Sequence, residues 1–395
     1  MSDTPVRGKA RAALLLVTRN LPPLRGGMER LNRHIAIELG VDFQVSVVGP
    51  QGCGAMLPPE FEVREAPLRP LWRFLSRAMV HSMASARRCQ PRVVLAGSGL
   101  TAPLAVLAAR IAGARSAVYV HGLDVAVRHP LYRAVWLPFI RRCDLCIVNS
   151  HHTRSLALAA GVKPARIAII HPGVSPCDAG SAGSAEEFRR QLGLGDRKIL
   201  LSVGRLTARK GLLEFVREAL PEIVRRHPDA LLLVIGDEAP DALHASGTGA
   251  AARVQALAGA LGLQRNVQML GACSDARLAA AYVAADVCIF PLRQIPGDVE
   301  GFGMVALEAA AHGLPTVAFD VGGVADAVAD GRSGWLVPAG DYPAMVDRIH
   351  QVLCAGRSAE TSARARAFAE AFDWRHFGAR LRERMHGLLH DGDRV

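Results

Sequence analysis

Between Asp298 and Gly313 the chain reads DVEGFGMVALEAAAHG, with Glu300 ahead of Gly301-Phe302-Gly303 and a second acid, Glu308, inside the helix-forming run Met304–Ala311. The glycines allow a tight turn and a close backbone approach, and the residues after them favour a helix. The Phe302, Gly303 and Met304 amides should therefore open a helix N-terminus, where anions are attracted. Glu308 leans back toward that opening because helical side chains tilt N-terminally. Free amides suit phosphate and carboxylates suit hydroxyls, the two kinds of group that a nucleotide sugar presents. The same residues would also fit a glycine-led helix with a solvated Glu300 and an ion-paired Glu308.

A second set of charges lies upstream. Arg205 and Lys210 fall between Gly204 and Gly211 in a strand-to-helix loop. A forked guanidinium and an ammonium beside glycines match the charge of a diphosphate and can neutralise its leaving oxygen. Gly236-Asp237 and Gly271 follow later strands, and Gly26-Gly27 occupies a strand-to-helix turn near the start. His121-Gly122-Leu123-Asp124 stands at the end of an apolar run, where open α/β sheets keep their ligands. His151, His152 and His171 lack paired metal-ligand spacing, which assigns them surface or capping roles. Cys143 and Cys146 form a C-x-x-C without a second pair, and their apolar setting marks them as core cysteines rather than zinc ligands.

Apolar runs alternate with helical stretches along the whole chain. Strands are expected at 12–18, 43–48, 93–96, 117–120, 145–148 and 167–170, and again at 198–203, 231–235, 267–270, 286–290 and 316–319. This alternation predicts α/β architecture: two Rossmann-like, doubly wound parallel sheets facing a central cleft. The expected limits are a first domain at 1–178, a small-residue linker at 179–190 and a second domain at 191–374, the first to bind acceptor and the second donor if the family resemblance given below holds. A final helix at 375–395, apolar at Phe377, Leu381, Met385, Leu388 and Leu389, is expected to pack back on the first domain.

Charge is uneven. Residues 1–190 hold 25 Lys and Arg against 12 Asp and Glu, whereas the remainder holds 22 against 24. Arg64, Arg69, Arg73, Arg77, Arg87, Arg88 and Arg92 interleave with Leu68, Leu71, Trp72, Phe74, Leu75, Met79 and Val80. That pattern fits a helix on an anionic membrane surface, or an arginine-rich helix with its apolar side in the core. No apolar run reaches membrane-spanning length, since Leu100–Ala109 stops at Arg110. The opening run leads into Thr18-Arg19-Asn20 instead of small cleavage-site residues, so the expected location is the cytoplasm, with reduced cysteines, at the inner face of the plasma membrane if the membrane is bound.

Taken together, Gly26-Gly27, His121-Gly122-Leu123-Asp124, Val203-Gly204-Arg205-Leu206 with Lys210-Gly211, Gly236-Asp237, Leu270-Gly271, Glu300 to Glu308 and Gly322-Gly323 resemble a retaining GT-B glycosyltransferase of the family 4 type. The match runs in the family's order over nearly the whole chain. It implies Arg205 and Lys210 on the donor diphosphate, Glu308 on the ribose, and Glu300 with the Gly301–Met304 amides on the transferred sugar. It also implies Gly27 near phosphate, and His121 near the anomeric carbon. No metal or other cofactor is implied beyond the nucleotide sugar as co-substrate. A lipid-linked sugar or a growing surface polysaccharide, such as that of lipopolysaccharide, fits the basic first domain as acceptor, and a soluble acceptor is the alternative. Asp326, where the family more often has Glu, and His171-Pro172-Gly173, where Asn-Gly is frequent, depart from the pattern. A nucleotide-sugar epimerase could use the same architecture. A nucleic-acid-binding protein would have charge in its favour but only four Trp and four Tyr to stack on bases.

Overall fold

The computed structural model describes residues 11–177, 181–238 and 249–390. The basic opening, residues 179 and 180 of the expected linker and residues 391–395 of the expected final helix lie outside the described residues. Two compact units emerge. One comprises the chain up to Asn149, Thr153–His171 and the stretch from Trp374; the other comprises Ser150–His152 and Pro172–Asp373.

The first unit is built on a parallel sheet of β1 (Ala13–Val17), β2 (Gln44–Pro50), β3 (Glu62–Ala66), β4 (Val93–Ala96), β5 (Arg115–Val120), β6 (Leu145–Val148) and β7 (Ile167–Ile169). Their order is β3-β2-β1-β4-β5-β6-β7. The second holds β8 (Ile199–Val203), β9 (Leu231–Ile235), β10 (Val267–Gly271), β11 (Val287–Phe290), β12 (Thr316–Phe319) and β13 (Gly334–Val337), ordered β10-β9-β8-β11-β12-β13. These are the two Rossmann-like parallel sheets expected. The inner strands are apolar on both faces, as in Leu14 to Val17 and Leu231 to Ile235, because helices cover both sides of a parallel sheet.

Strands β3 and β13 were not anticipated. Both are edge strands, and the first, Glu-Val-Arg-Glu-Ala, carries the charges that keep an exposed edge from pairing further. The stretch read as a linker is corrected as well. Residues Ser181–Gln191 form a helix, because Ala185 and Phe188 sit one turn apart and are buried in the second unit's core. Arg189 anchors it by donating to the Ala284 carbonyl at 2.7 Å.

Each sheet reverses direction once, between β1 and β4 and between β8 and β11. At such a point neighbouring loops splay to opposite faces and leave a crevice beyond the strand ends. The helix Trp374–His390 belongs to the first unit. It buries Trp374, Phe377, Leu381 and Met385, stacks Trp374 on His34 at 3.8 Å, and pairs Arg382 with Glu38 at 2.8 Å.

Helix Leu71–Cys89 resolves its mixed pattern by face. Phe74, Ala78, Ser82, Ser85 and Ala86 are buried, while Leu71, Trp72, Arg73, Arg77, Val80, Arg87 and Arg88 are exposed. Phe74 thus leaves the outward set, and Trp72, 64 % exposed, dominates it. No helix among the described residues is long and apolar enough to cross a membrane. All eight cysteines are free; Cys143 and Cys146 are buried, and burial raises the Cys143 thiol to about 12.

Candidate active site

In the second unit the loops after β8 and β11 flank the reversal point, and they are tied backbone to backbone. The Arg293 amide donates to the Arg209 carbonyl at 2.8 Å, and Gly211, at φ +67°, lies so close to the Pro291 carbonyl that a Cβ would collide with it. A third loop, after β12, braces the arrangement. The Gly323 amide donates to the Glu300 carbonyl at 2.9 Å, and Gly322 is held at φ +65° with no room for a Cβ beside that oxygen. Gly322→Ala therefore meets both left-handed strain and a backbone clash. It should cost about 2 kcal/mol and lower the thermal midpoint by roughly 5 °C, read by calorimetry.

These loops concentrate four charged side chains. Lys210 Nζ donates to Glu300 Oε2 at 2.8 Å, Arg209 Nε to Asp298 Oδ1 at 3.0 Å, and a terminal Arg209 nitrogen to the same Glu300 oxygen. All four are only 12–18 % exposed. Lys210 Nζ also lies 4.5 Å from the Phe290 ring centre. Burial alone would raise the Glu300 carboxyl, but Lys210 and Arg209 overcome it and hold the group at about 2. Burial lowers the Lys210 ammonium against the opposing pull of Glu300, with Arg209 and Arg205 adding to the decrease.

A depressed carboxyl stabilises the fold fully above its unfolded value near 4.5, and that stability disappears as pH falls toward 2. The second unit should thus lose about 3 kcal/mol across that window. Glu300→Gln should flatten the profile, measured as denaturant midpoint against pH.

Arg205 is exposed, close enough to Lys210 to act on its charge, and its side chain has no hydrogen bond among the described residues. Glu308, inside the helix Met304–Ala311, is 9 % exposed and accepts from the buried Tyr282 hydroxyl at 3.0 Å. The Gly303, Met304 and Val305 amides have no acceptor among the described residues, as the first turn of a helix requires. Gly303 takes φ +100° to start that helix.

The Phe302 side chain is 2 % exposed and packs in the core 6.0 Å from the Phe372 ring, and it was the Phe302 backbone amide, not its ring, that the sequence placed at the helix start. Gly204, Gly236 and Gly271 join neighbouring strand ends: the Gly236 amide donates to the Gly271 carbonyl at 2.9 Å, and a Cβ on Gly236 would strike Gly204. Asp237 is exposed, while its carbonyl accepts from the Leu206 amide at 2.9 Å.

In the first unit, Gly26 and Gly27 open the helix Gly27–Leu39 just after β1. Thr18 and Asn32 crowd Gly97, after β4. His121 follows β5 and is 8 % exposed; its Nε2 lies 2.8 Å from the Gly97 carbonyl, which assigns the proton to that nitrogen and leaves Nδ1 as an acceptor. Its backbone amide donates to Asp124 Oδ2 at 2.9 Å, which ties the strand end to the short helix Leu123–Ala126.

Sequence reasoning missed Arg209, Asp298 and Tyr282. Arg209 and Asp298 were legible only as a count: three bases in one loop against two acids in the other. Nothing in local spacing singled out Tyr282.

Residues 184–370 match the family Glycosyl transferases group 1, and residues 25–176 match Glycosyltransferase Family 4. Over 386 residues the chain is 31 % identical to a GDP-mannose-dependent alpha-(1-6)-phosphatidylinositol monomannoside mannosyltransferase of Mycolicibacterium smegmatis, covering 95 % of this chain and 98 % of the relative. The Mycobacterium tuberculosis protein with the same description is 29 % identical over 393 residues, with the same coverage. Among solved structures, Anabaena HepE in complex with UDP and glucose is similar with a TM-score of 0.79 at 19 % identity, covering 95 % of this chain and all of the other.

Proposed function

From the premise that the chain belongs to glycosyltransferase family 4, the group 1 glycosyl transferases, and has the GT-B fold, we propose that it transfers a hexose from a nucleotide sugar with retention and without a metal. The acceptor is a lipid-linked sugar or growing glycan of the cell envelope. The observation that carries this reading is the convergence of Lys210, Arg205, Glu300 and unpaired helix amides at the reversal point of the second sheet. A GDP-sugar is the first donor to try, because the relatives matched over nearly their full length are GDP-mannose-dependent.

Departure of the nucleoside diphosphate leaves oxocarbenium-like charge on the sugar and negative charge on the phosphate oxygen. Lys210, Arg205 and the Gly303–Val305 amides stabilise that anion, so catalysis is mainly positional and electrostatic. Glu300 orients the sugar hydroxyls, and Glu308, held by Tyr282, takes the ribose hydroxyls. The bond from the anomeric carbon to the phosphate oxygen breaks. The acceptor oxygen forms its bond on the same face, and the departing phosphate oxygen takes the acceptor proton.

The exposed Trp72 and the arginines of helix Leu71–Cys89 would bring the first unit to an anionic bilayer at the cytoplasmic face. Binding to phosphatidylglycerol vesicles that fades with salt and with Trp72→Ala supports this; equal binding to neutral vesicles counts against it.

The test of function is label transfer from GDP-mannose and UDP-glucose to a lipid extract, with and without EDTA. α-Linked product from an α-donor at an unchanged rate in EDTA is expected. A β-linked product rejects retention, and a rate abolished by EDTA rejects the metal-free reaction. A new sugar nucleotide formed without acceptor would point to epimerisation instead.

A further inference from the structure

One oxygen of Glu300 carries two cations. Lys210 Nζ and a terminal nitrogen of Arg209 both donate to Oε2, while Arg209 Nε holds Asp298 at 3.0 Å. The four charges are balanced, two positive and two negative, and each is largely buried. A diphosphate that enters needs a cation of its own. If Lys210 turned to it and nothing remained on Glu300, a buried carboxylate would be stranded, which is strongly unfavourable.

We infer that Arg209 is a positioning residue that keeps Glu300 paired and in place while Lys210 turns to the donor's phosphate. The inference rests on the reading above, in which Lys210 meets a diphosphate. Arg209 is suited to the task in three respects. Its planar fork reaches both carboxylates at once, whereas a lysine offers a single point charge. Asp298 anchors its inner nitrogen, so the guanidinium stays where it is when Lys210 leaves. Its carbonyl accepts from the Arg293 amide, which ties its backbone to the loop that carries Glu300. Lys210 has a flexible stem, its ammonium lies 4.5 Å from the Phe290 ring centre, and its one hydrogen bond among the described residues is to Glu300, so turning to a phosphate breaks that contact alone.

The contact of Arg209 is therefore with protein carboxylates, yet its loss should appear in nucleotide binding. In Arg209→Gln, Glu300 has only Lys210 left and retains it. GDP affinity should fall roughly tenfold, the worth of one charged hydrogen bond. Removing the negative charge with Glu300→Gln in the same chain releases Lys210 and should restore GDP affinity to within about threefold of the unaltered protein.

The experiment is calorimetric titration of GDP, and of UDP in parallel, into the full chain, Arg209→Gln, Glu300→Gln and the double variant. A tenfold loss in the single variant that the second substitution recovers is the expected result. Equal GDP affinity in Arg209→Gln and the unaltered chain overturns the inference, and so does a double variant as weak as the single one, which marks a purely structural role. If Arg209→Gln does not fold, Arg209→Lys gives the same comparison, because one ammonium cannot hold both acids. An unaltered chain that binds neither nucleotide overturns the functional reading itself and the inference with it.

Discussion

Lys210→Ala is expected to lower kcat/KM about a thousandfold while the protein still folds and melts cooperatively. The ammonium is the best-placed cation in the loop after β8: it is largely buried, 2.8 Å from Glu300, and at the mouth of the reversal point. In that low-dielectric setting a charge aimed at a leaving oxygen is worth far more than at the surface, and removing one such donor typically costs two to three orders of magnitude. Most of the loss should fall on kcat, because negative charge on the phosphate oxygen grows as the glycosidic bond stretches. Arg205 is exposed and better solvated, so Arg205→Ala should cost only about tenfold. Steady-state kinetics with saturating acceptor separates the two, and a Lys210→Ala enzyme with near-normal kcat would remove this residue from the chemistry.

Glu300→Ala should show a different signature, a loss of about a thousandfold in kcat with GDP affinity kept or improved. The carboxylate is proposed to hold the sugar, and a misplaced reacting carbon costs rate even when the nucleotide is bound well. Its removal also leaves Arg209 and Lys210 side by side with Asp298 as the remaining acid of the cluster, so the site becomes more attractive to a diphosphate. Titration of GDP alongside turnover measures both effects. Transfer at a near-normal rate would exclude Glu300 from the sugar's binding.

The two sheets were legible in the sequence because their inner strands are apolar on both faces and their helices have regular lengths. Edges were harder to see. Strand β3 is half charged and β13 is four residues long, so neither carries a periodic signal, and each is recognised as a strand only through its neighbour. The helix Ser181–Gln191 was hidden by its own composition: Ser, Gly and Ala dominate its first half, and only Phe188 reports the core beneath it.

Glu300 and Lys210, which the structure pairs at 2.8 Å, stood out in the sequence because glycines mark the loops that present them. Arg209 sat beside Lys210 and was passed over, since adjacent basic residues in a loop usually point apart into water. Here both turn inward, because two carboxylates from the loop after β11 receive them. Phe302 turns its ring into the core, since an aromatic ring beside a packed helix start finds apolar neighbours there.

The most direct measurement is a crystal structure of the chain with GDP bound. The diphosphate is expected at the ends of β8 and β11, with Lys210 Nζ about 2.8 Å from a phosphate oxygen and Glu300 still held by Arg209. GDP bound elsewhere on the second unit, or a phosphate with Lys210 still closed on Glu300, would contradict this expectation.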